Sequence, residues 1–202
     1  MNVHRPLKRQ ATYQDILDAP EGTVAEIVNG VFYLQAQPAP PHQEIGSGLT
    51  ELLRPPHQRG RGGPGGWWIV GEPELQLGNR DWRTLVPDAA GWRRERLTRI
   101  PQKWAELDAV PDWVCEILSP STARLDRTEK LPVYAEVGVS HAWLIDPAAK
   151  TLEVLGLEDG RWVILSVHAG DDAVQAPPFE TVPLALGDLW LEEGEGDDGD
   201  AG

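Results

Sequence analysis

The sequence predicts an α/β fold in which a mixed β-sheet is flanked by helices and carries a hairpin near each end. Two β-rich runs flank the pair Asn29-Gly30, which favours the tight turn of a β-hairpin. From Trp113 to Asp146 a strand, a helical segment and a second strand follow one another, an order that usually produces parallel pairing. A further pair of β-rich runs meets near Asp159-Gly160 and predicts the C-terminal hairpin.

Two helices are predicted before the central strands. Thr12 is a favourable N-cap residue, and the apolar positions that follow it keep helical spacing up to Asp18. Residues 42–53 also carry apolar side chains at helical spacing. Pro55-Pro56 is expected to stop this second helix, because proline lacks the N–H group that an α-helix needs.

The central strands come next. Residues 67–70 and 74–77 are typical of strands, and residues 84–91 are expected to form one further strand after the turn at Gly78-Asn79. This last segment contains an acid in apolar surroundings, which makes its position in the sheet important for function.

A third helix is predicted between the two parallel strands. Residues 119–122 offer hydroxyl caps and an early proline, and the helix is expected to reach about Glu136. Pro132 lies inside it and is expected to bend or interrupt it.

Composition bounds the class of protein. A chain of 202 residues with 41% hydrophobic content suits a single domain, placed at residues 1–191. Residues 192–202 are an acidic tail expected to be disordered, and they contribute strongly to the formal net charge of −14. The single cysteine excludes an intramolecular disulfide, and no apolar run approaches the roughly 20 residues of a membrane span, so a cytoplasmic protein is expected.

Two acids stand in apolar segments where a sheet interior favours hydrophobic side chains. Asp88 shares a strand face with Val86 and Ala90, and Glu116 lies between Cys115 and Ile117. A buried carboxylate is costly unless a cation neutralises it, and two carboxylates that meet would repel unless a cation lies between them. The pair therefore indicates a metal site, although Asp88 could also cap a turn or pair with an arginine.

Two further charged residues complete a set suited to phosphodiester cleavage. Glu26 lies in the first predicted hairpin, and Lys130 lies on the helix after Glu116. Carboxylates hold Mg²⁺ in such enzymes, and a cation or base positions the attacking water. Two simpler alternatives remain: Glu26 as a solvent-facing strand residue, and Lys130 in an exposed helical ion pair with Asp126 four residues earlier.

The chain resembles the bacterial Uma-type family of putative restriction endonucleases, a branch of the PD-(D/E)XK phosphodiesterase superfamily. The resemblance runs from Thr12-Tyr13 to Pro147. Its motifs are Glu26-Ile27-Val28-Asn29-Gly30, His42, Val86-Pro87-Asp88-Ala89-Ala90-Gly91-Trp92, Glu116-Ile117-Leu118-Ser119-Pro120-Ser121-Thr122, Asp126, Lys130, Tyr134, Gly138-Val139 and Trp143-Leu144-Ile145-Asp146-Pro147.

The resemblance implies a restriction-endonuclease-like sheet flanked by helices and a metal-dependent endonuclease acting on DNA. It implies that Asp88 and Glu116 bind Mg²⁺ or Mn²⁺, with the backbone carbonyl of Ile117 as a further ligand. Glu26 corresponds to an accessory acid near the metal. The resemblance also implies self-association into a homodimer, by analogy with superfamily relatives that cut both strands.

The chain departs from the superfamily at the lysine. Where a Glu-x-Lys motif would place it, this sequence has Leu118. Lys130 is the matching position of a lysine relocated to the following helix, and it would orient water and stabilise charge on the scissile phosphate.

Basic residues directly follow the Asp88 segment. Arg93, Arg94 and Arg96 could bind DNA phosphates near the metal site, and ordinary surface salt bridges are the equally weighted alternative. For His42 a simple helix-start role is favoured, and Cys115 is expected to be a buried packing residue. The competing function is a catalytically silent nuclease-fold module that binds nucleic acid or supports assembly, and an RNA or nucleotide substrate would use the same site.

Overall fold

The computed structural model describes residues 10–104, 107 and 109–191, so the predicted acidic tail lies outside the described residues. Helix α1 spans Tyr13–Leu17, with a capping box between Thr12 and Asp15. Helix α2 spans Pro40–Leu53. Of the helices in the described part of the chain, none is both long enough and apolar enough to cross a bilayer.

The α-helix ends at Leu53, before Pro55-Pro56, as predicted, but the helical path does not end there. The chain continues as a π-helical turn over Arg54–Gln58, in which the Arg59 N–H donates to the Arg54 carbonyl at 3.0 Å. Neither proline has an N–H to donate, and the wider i→i+5 turn accommodates them without breaking the helical path.

A four-stranded sheet has the order β2-β1-β5-β4. Its first two strands form the antiparallel N-terminal hairpin, turned by Asn29 and Gly30, which both have positive φ angles of 49° and 78°. Such a turn matches the twist of the flanking strands. The strands are β1 (Thr23–Val28), β2 (Val31–Ala36), β4 (Leu75–Gln76) and β5 (Thr84–Leu85).

A six-stranded sheet has the order β10-β9-β8-β7-β6-β3, and only the β7–β8 pair in it is parallel. A short two-stranded sheet, β11 (Ala173–Val174) with β12 (Leu184–Ala185), lies outside it. The six strands are β3 (Trp67–Gly71), β6 (Ala89–Arg93), β7 (Trp113–Ile117), β8 (His141–Asp146), β9 (Thr151–Glu158) and β10 (Arg161–Ala169).

The predicted single strand over residues 84–91 is wrong, because the chain changes sheets inside it. β5 pairs with β1 and β4 in the small sheet, whereas β6 pairs with β3 and β7 in the large sheet. Pro87 lies in the link between them and has no N–H for a sheet ladder. Asp88 therefore stands at the junction of the two sheets rather than on a strand face.

The predicted third helix is present and is continuous through Pro132. It consists of α3 (Ala123–Leu125), a π-helical turn (Asp126–Lys130) and α4 (Leu131–Val137). The Leu131 N–H donates to the Asp126 carbonyl across the wide turn. The wide turn accommodates Pro132, whose ring would clash with the carbonyl four residues earlier in a regular α-helix.

The core lies on both faces of the large sheet. One cluster packs Trp113, Cys115 and Ile117 of β7 against α2, and the other packs Val114 of β7 with Tyr134 of α4. Strand β7 is buried at every position, so its one charged residue, Glu116, stands on the α4 face in an apolar layer. Cys115 is a buried packing residue, as expected.

Candidate active site

The pairing of β6 with β7 brings the two predicted metal ligands together. Ala89 is opposite Cys115 in this antiparallel pair, so the preceding Asp88 lies beside Glu116 at the end of β7. The Ile117 N–H donates to Asp88 Oδ2 at 2.6 Å, which fixes the carboxylate against that strand end. The change of sheet at Pro87 thus leaves Asp88 at the mouth of a cleft instead of in the core.

Glu116 is 2% exposed and is held by two donors from the third helix. The Tyr134 hydroxyl donates to Oε1 at 2.7 Å, and Lys130 Nζ donates to Oε2 at 3.0 Å. Burial raises the pKa of Glu116 well above its ordinary value; Lys130 lowers it, and the neighbouring acids raise it further. A cation bound at this carboxylate would stabilise its ionised form.

Lys130 delivers its ammonium group to the centre of the cluster. Besides contacting Glu116, Nζ lies 3.1 Å from Glu26 Oε1 and donates to the Val86 carbonyl at 3.1 Å. Burial lowers the pKa of Lys130, but the carboxylates of Glu116 and Glu26 outweigh it and hold that pKa well above its ordinary value. The exposed ion pair considered above is wrong, because Lys130 and Asp126 are 3% and 2% exposed.

Glu26 joins the small sheet to this cluster. It is 1% exposed, which rules out the solvent-facing alternative. Its Oε1 accepts the Val86 N–H at 2.7 Å, and its Oε2 accepts Gln35 Nε2 at 3.0 Å. Glu26 therefore binds the backbone of the chain segment that carries Asp88.

Three residues of the site were not among the predicted site residues: Asp126, Tyr134 and His42. Asp126 and Tyr134 lie four residues before and after Lys130, and this spacing places all three on one helix face. That spacing was visible in the sequence and could have identified them.

Asp126 is the least satisfied of these side chains. Its Oδ1 lies 3.8 Å from Lys130 Nζ, and its buried Oδ2 has no hydrogen-bond partner among the described residues. Burial raises the pKa of Asp126 to about 6, against a lowering by Lys130. A buried oxygen without a donor is costly, and such groups often have a ligand-binding role.

His42 lies on the first turn of α2 and is more than a helix-start residue. Its Nε2 is 2.7 Å from Asp88 Oδ1, so Asp88 is held by α2 on one side and by β7 on the other. Burial lowers the pKa of His42, but the hydrogen bond and the charge of Asp88 outweigh it and raise that pKa above its ordinary value.

The cluster lines a cleft of about 350 Å³. Five carboxylates line it, and three of them, Glu26, Glu116 and Asp126, are almost fully buried beside Lys130. Among the described lining residues the cationic partners are Lys130 and His42, so negative charge is in excess when all five acids are ionised. Within residues 10–104, 107 and 109–191, no three histidine, cysteine, aspartate or glutamate side chains are grouped so that they could hold a metal ion. Mg²⁺ is commonly bound by one or two carboxylates with water and substrate oxygens, and Asp88 with Glu116 meets that smaller requirement.

The structure does not bring the predicted DNA-binding arginines to this cleft. Arg93 ends β6, at the opposite end of the strand from Asp88, and its guanidinium lies 4.7 Å from the Trp67 ring centroid. Arg94 donates to the carbonyls of Trp67 and Gln58. Arg96 pairs with Asp112. Their role in nucleic-acid binding stays a prediction, now for a surface away from the cleft.

Comparisons with known proteins agree with this architecture. The family model Uma2, described as "Putative restriction endonuclease", matches residues 11–187. The fold is similar to a crystal structure of "a putative nuclease belonging to DUF820" from Anabaena variabilis, with a TM-score of 0.64 and 24% identity over 89% of this chain and 97% of that chain. No curated protein matches the chain. The predicted family and the α/β fold are confirmed: the chain belongs to the Uma2 family of putative restriction endonucleases.

Proposed function

We propose that this protein is a metal-dependent endonuclease that hydrolyses phosphodiester bonds in DNA. The observation that carries the proposal is the position of Lys130 Nζ, 3.0 Å from Glu116 and 3.1 Å from Glu26, in a cleft that also contains Asp88. Metal-assisted phosphodiester hydrolysis uses carboxylates to bind the ion and a positive charge near the phosphate, and this acid pair with its adjacent ammonium group can supply both.

Asp88, Glu116 and the Ile117 carbonyl would hold Mg²⁺ or Mn²⁺, and Glu26 would act as the accessory acid. A bound divalent cation supplies Lewis-acid polarisation of the phosphate and a more acidic water. The described residues fit such an ion because Asp126 Oδ2 is an unpaired buried oxygen beside an excess of negative charge.

Lys130 would act as a fixed positive charge rather than as a base. Because its pKa is raised, its ammonium group stays protonated. Its N–H groups already face Glu116, Glu26 and the Val86 carbonyl, so it would stabilise the negative charge that develops on the phosphate through its own charge. A water oxygen forms a bond to phosphorus while the bond to the 3′ oxygen breaks. The water loses its proton and the leaving oxygen gains one, which gives 5′-phosphate and 3′-hydroxyl ends.

Cleavage of supercoiled plasmid in Mg²⁺ or Mn²⁺ tests the proposal. Asp88→Asn and Glu116→Gln keep side-chain size and are expected to abolish nicking. Asp112→Asn serves as the matched control, since Asp112 is a buried acid at the opposite end of β7. Thermal unfolding checks that each variant folds, and a folded Glu116→Gln variant with full activity contradicts the proposal.

A nuclease-fold module that binds without cleaving is the second candidate. One observation favours it: both oxygens of Glu116 already accept hydrogen bonds, from Tyr134 and Lys130, so a metal must share them. Calorimetry separates the candidates. Binding of Mg²⁺ or Mn²⁺ that is lost in Glu116→Gln supports the enzyme, whereas DNA binding without metal binding supports the module.

A homodimer is the proposed assembly, and β10 is the surface that would form it. β10 is an edge strand of the large sheet, with Ile164 and Val167 60% and 57% exposed. Arg161 begins the strand and Asp171-Asp172 follow its end, so two antiparallel copies of β10 would place opposite charges together. Ile164→Lys is expected to turn dimer into monomer in analytical ultracentrifugation, and unchanged sedimentation contradicts this interface.

A further inference from the structure

The active-site cleft continues into a second cavity along α2. This cavity, the α2 groove, has a volume of about 430 Å³ and shares His42, Glu72 and Asp88 with the cleft. Its floor is polar or small, and Arg54 lies at its far end. The remaining groove residues are Gln43, Gly46, Ser47, Thr50, Val70 and Gly71.

On the other side the cleft continues into a third cavity beside β2 and α3. This cavity, the Arg124 groove, has a volume of about 460 Å³ and shares Gln35, Pro120 and Ser121 with the cleft. It includes the ring of Tyr33 and the exposed side chain of Arg124. Each outer groove therefore adjoins the cleft through shared lining residues, with Asp88 and Glu116 in the cleft and an arginine in each outer groove.

Arg54 is held in place but keeps its charge available. Its Nε donates to the Ile69 carbonyl at 2.9 Å, which orients the guanidinium. Within the part of the chain that the structure describes, no carboxylate pairs with Arg54 or with Arg124. By contrast, Arg83 and Arg127 pair with Glu136 and Glu153.

Acidic side chains also line both grooves and offset the positive charge of each arginine. Glu72 and Asp88 line the α2 groove and Glu129 lines the Arg124 groove, so Arg54 faces two acids and Arg124 faces one. A polyanion in either groove would therefore depend on that groove's single guanidinium group.

We propose that one strand of DNA runs through both grooves, with Arg54 and Arg124 binding phosphates on opposite sides of the scissile phosphate; this inference rests on the proposed function. The Cα atoms of His42 and Arg54 are about 18 Å apart along the helix axis at a rise of 1.5 Å per residue. Arg54 leans back toward the helix N-terminus, which shortens the span.

The groove surfaces suit the other parts of a nucleotide chain. Exposed Ser47 offers a hydroxyl in the α2 groove. Gly46 and Gly71 carry no side chains, which leaves the α2 groove open for a sugar-phosphate backbone. Arg93, Arg94 and Arg96 lie off this path and are engaged by other groups.

Fluorescence anisotropy with a labelled 20-nucleotide DNA strand, with Ca²⁺ replacing Mg²⁺, tests the path without cleavage. Arg54→Gln and Arg124→Gln are each expected to weaken binding about fivefold to tenfold and to reduce the salt slope by about 0.7, the value for one lost phosphate contact on a single strand. Arg80→Gln removes the same charge at an exposed position outside the three cavities and is expected to bind within about twofold of wild type.

A second variant keeps the test valid if Arg54→Gln unfolds. Ser47→Glu adds a negative charge on an exposed position of the α2 groove without touching the Arg54 contact to Ile69, and it is expected to weaken binding as well. Groove variants that bind like Arg80→Gln overturn the path. Tighter binding of the same sequence as RNA overturns the assignment to DNA.

The outcome separates this inference from the proposed function. If wild-type protein cleaves plasmid but Arg54→Gln and Arg124→Gln bind normally, the path is wrong and the enzyme stands. If wild type binds with the expected arginine dependence but never cleaves, the path stands and the enzyme is wrong. Wild type that does not bind DNA at all overturns the path.

Discussion

The two ends of the β6–β7 pair carry buried charges that are used in opposite ways. At the end near Arg93, Asp112 is fully matched: it pairs with Arg96 and accepts the Arg93 N–H at 2.8 Å. At the other end, about 16 Å away at the rise of a β-strand, three carboxylates lie within 3.8 Å of Lys130 Nζ, and one oxygen of Asp126 has no hydrogen-bond partner among the described residues. Complete pairing of buried charges indicates a structural role, whereas incomplete pairing in a cleft indicates a ligand-binding role.

The largest expected effect is at the centre of the unmatched cluster. Lys130→Met leaves Glu26 and Glu116 buried without a cation, and the free energy of unfolding is expected to fall by about 3–5 kcal/mol. Arg96→Met at the matched end is expected to cost less than about 1 kcal/mol, because Arg96 is half-exposed. Urea unfolding measures both. Equal losses of unfolding free energy at the two ends would contradict the difference in burial and pairing between them.

The second effect has the opposite sign. The pKa of Asp126 is raised to about 6 from 3.8, so the folded state binds a proton more tightly than the unfolded state does. Wild-type stability should therefore fall as the pH rises from about 4 to about 6, and Asp126→Asn should remove this loss, a gain on the order of 1–3 kcal/mol at pH 7.

Asp112→Asn is the control for that measurement, because it breaks a satisfied pair and should lower stability at pH 7. Urea unfolding between pH 4 and pH 8 gives both curves. An Asp126→Asn variant that is less stable than wild type at pH 7 would show that Asp126 contributes to folding rather than to ligand binding.

Tyrosine offers a smaller, matched pair of tests. Tyr134→Phe removes the buried donor to Glu116 and is expected to cost about 1–2 kcal/mol of unfolding free energy, with reduced cleavage. Tyr13→Phe removes a similar hydrogen bond to Glu74 at a partly exposed position and is expected to cost less than about 1 kcal/mol. Thermal melts and plasmid nicking test both, and loss of activity in Tyr13→Phe alone would contradict the site.

The smallest effect lies at the matched end. Burial lowers the pKa of His141, so the folded state holds this imidazole neutral while the unfolded state begins to bind a proton near pH 6.5. The stability that this provides is present above pH 6.5 and is lost as the pH falls below it. His141→Gln should flatten that part of the stability curve in urea unfolding; an unchanged slope contradicts the assignment.

Much of the fold and the central part of the site could be predicted from local sequence. The hairpin pair Asn29-Gly30 and the strand-helix-strand order carry short-range signals, and Glu116 is conspicuous as the one acid of the apolar strand β7. The family resemblance added Lys130, and the structure brings its ammonium group to Glu116.

The errors share a physical cause, which is that they depend on pairing between distant segments. Residues 84–91 alternate like one strand, and only their different partners show that the chain changes sheets at Pro87. The arginines after β6 are close to Asp88 in sequence, but an extended strand carries them to its far end. His42 reaches Asp88 through the placement of α2, which no local pattern states.

Leu118 shows a consequence of placing the ammonium group on the helix. Because Lys130 supplies the charge, position 118 is free to pack in the core, where Leu118 is 5% exposed. Leu118→Lys alone would bury a second ammonium group in that layer, and loss of Lys130 alone would leave the buried acids without a cation. Positions 118 and 130 are therefore coupled, so the effect of a substitution at one depends on the residue at the other.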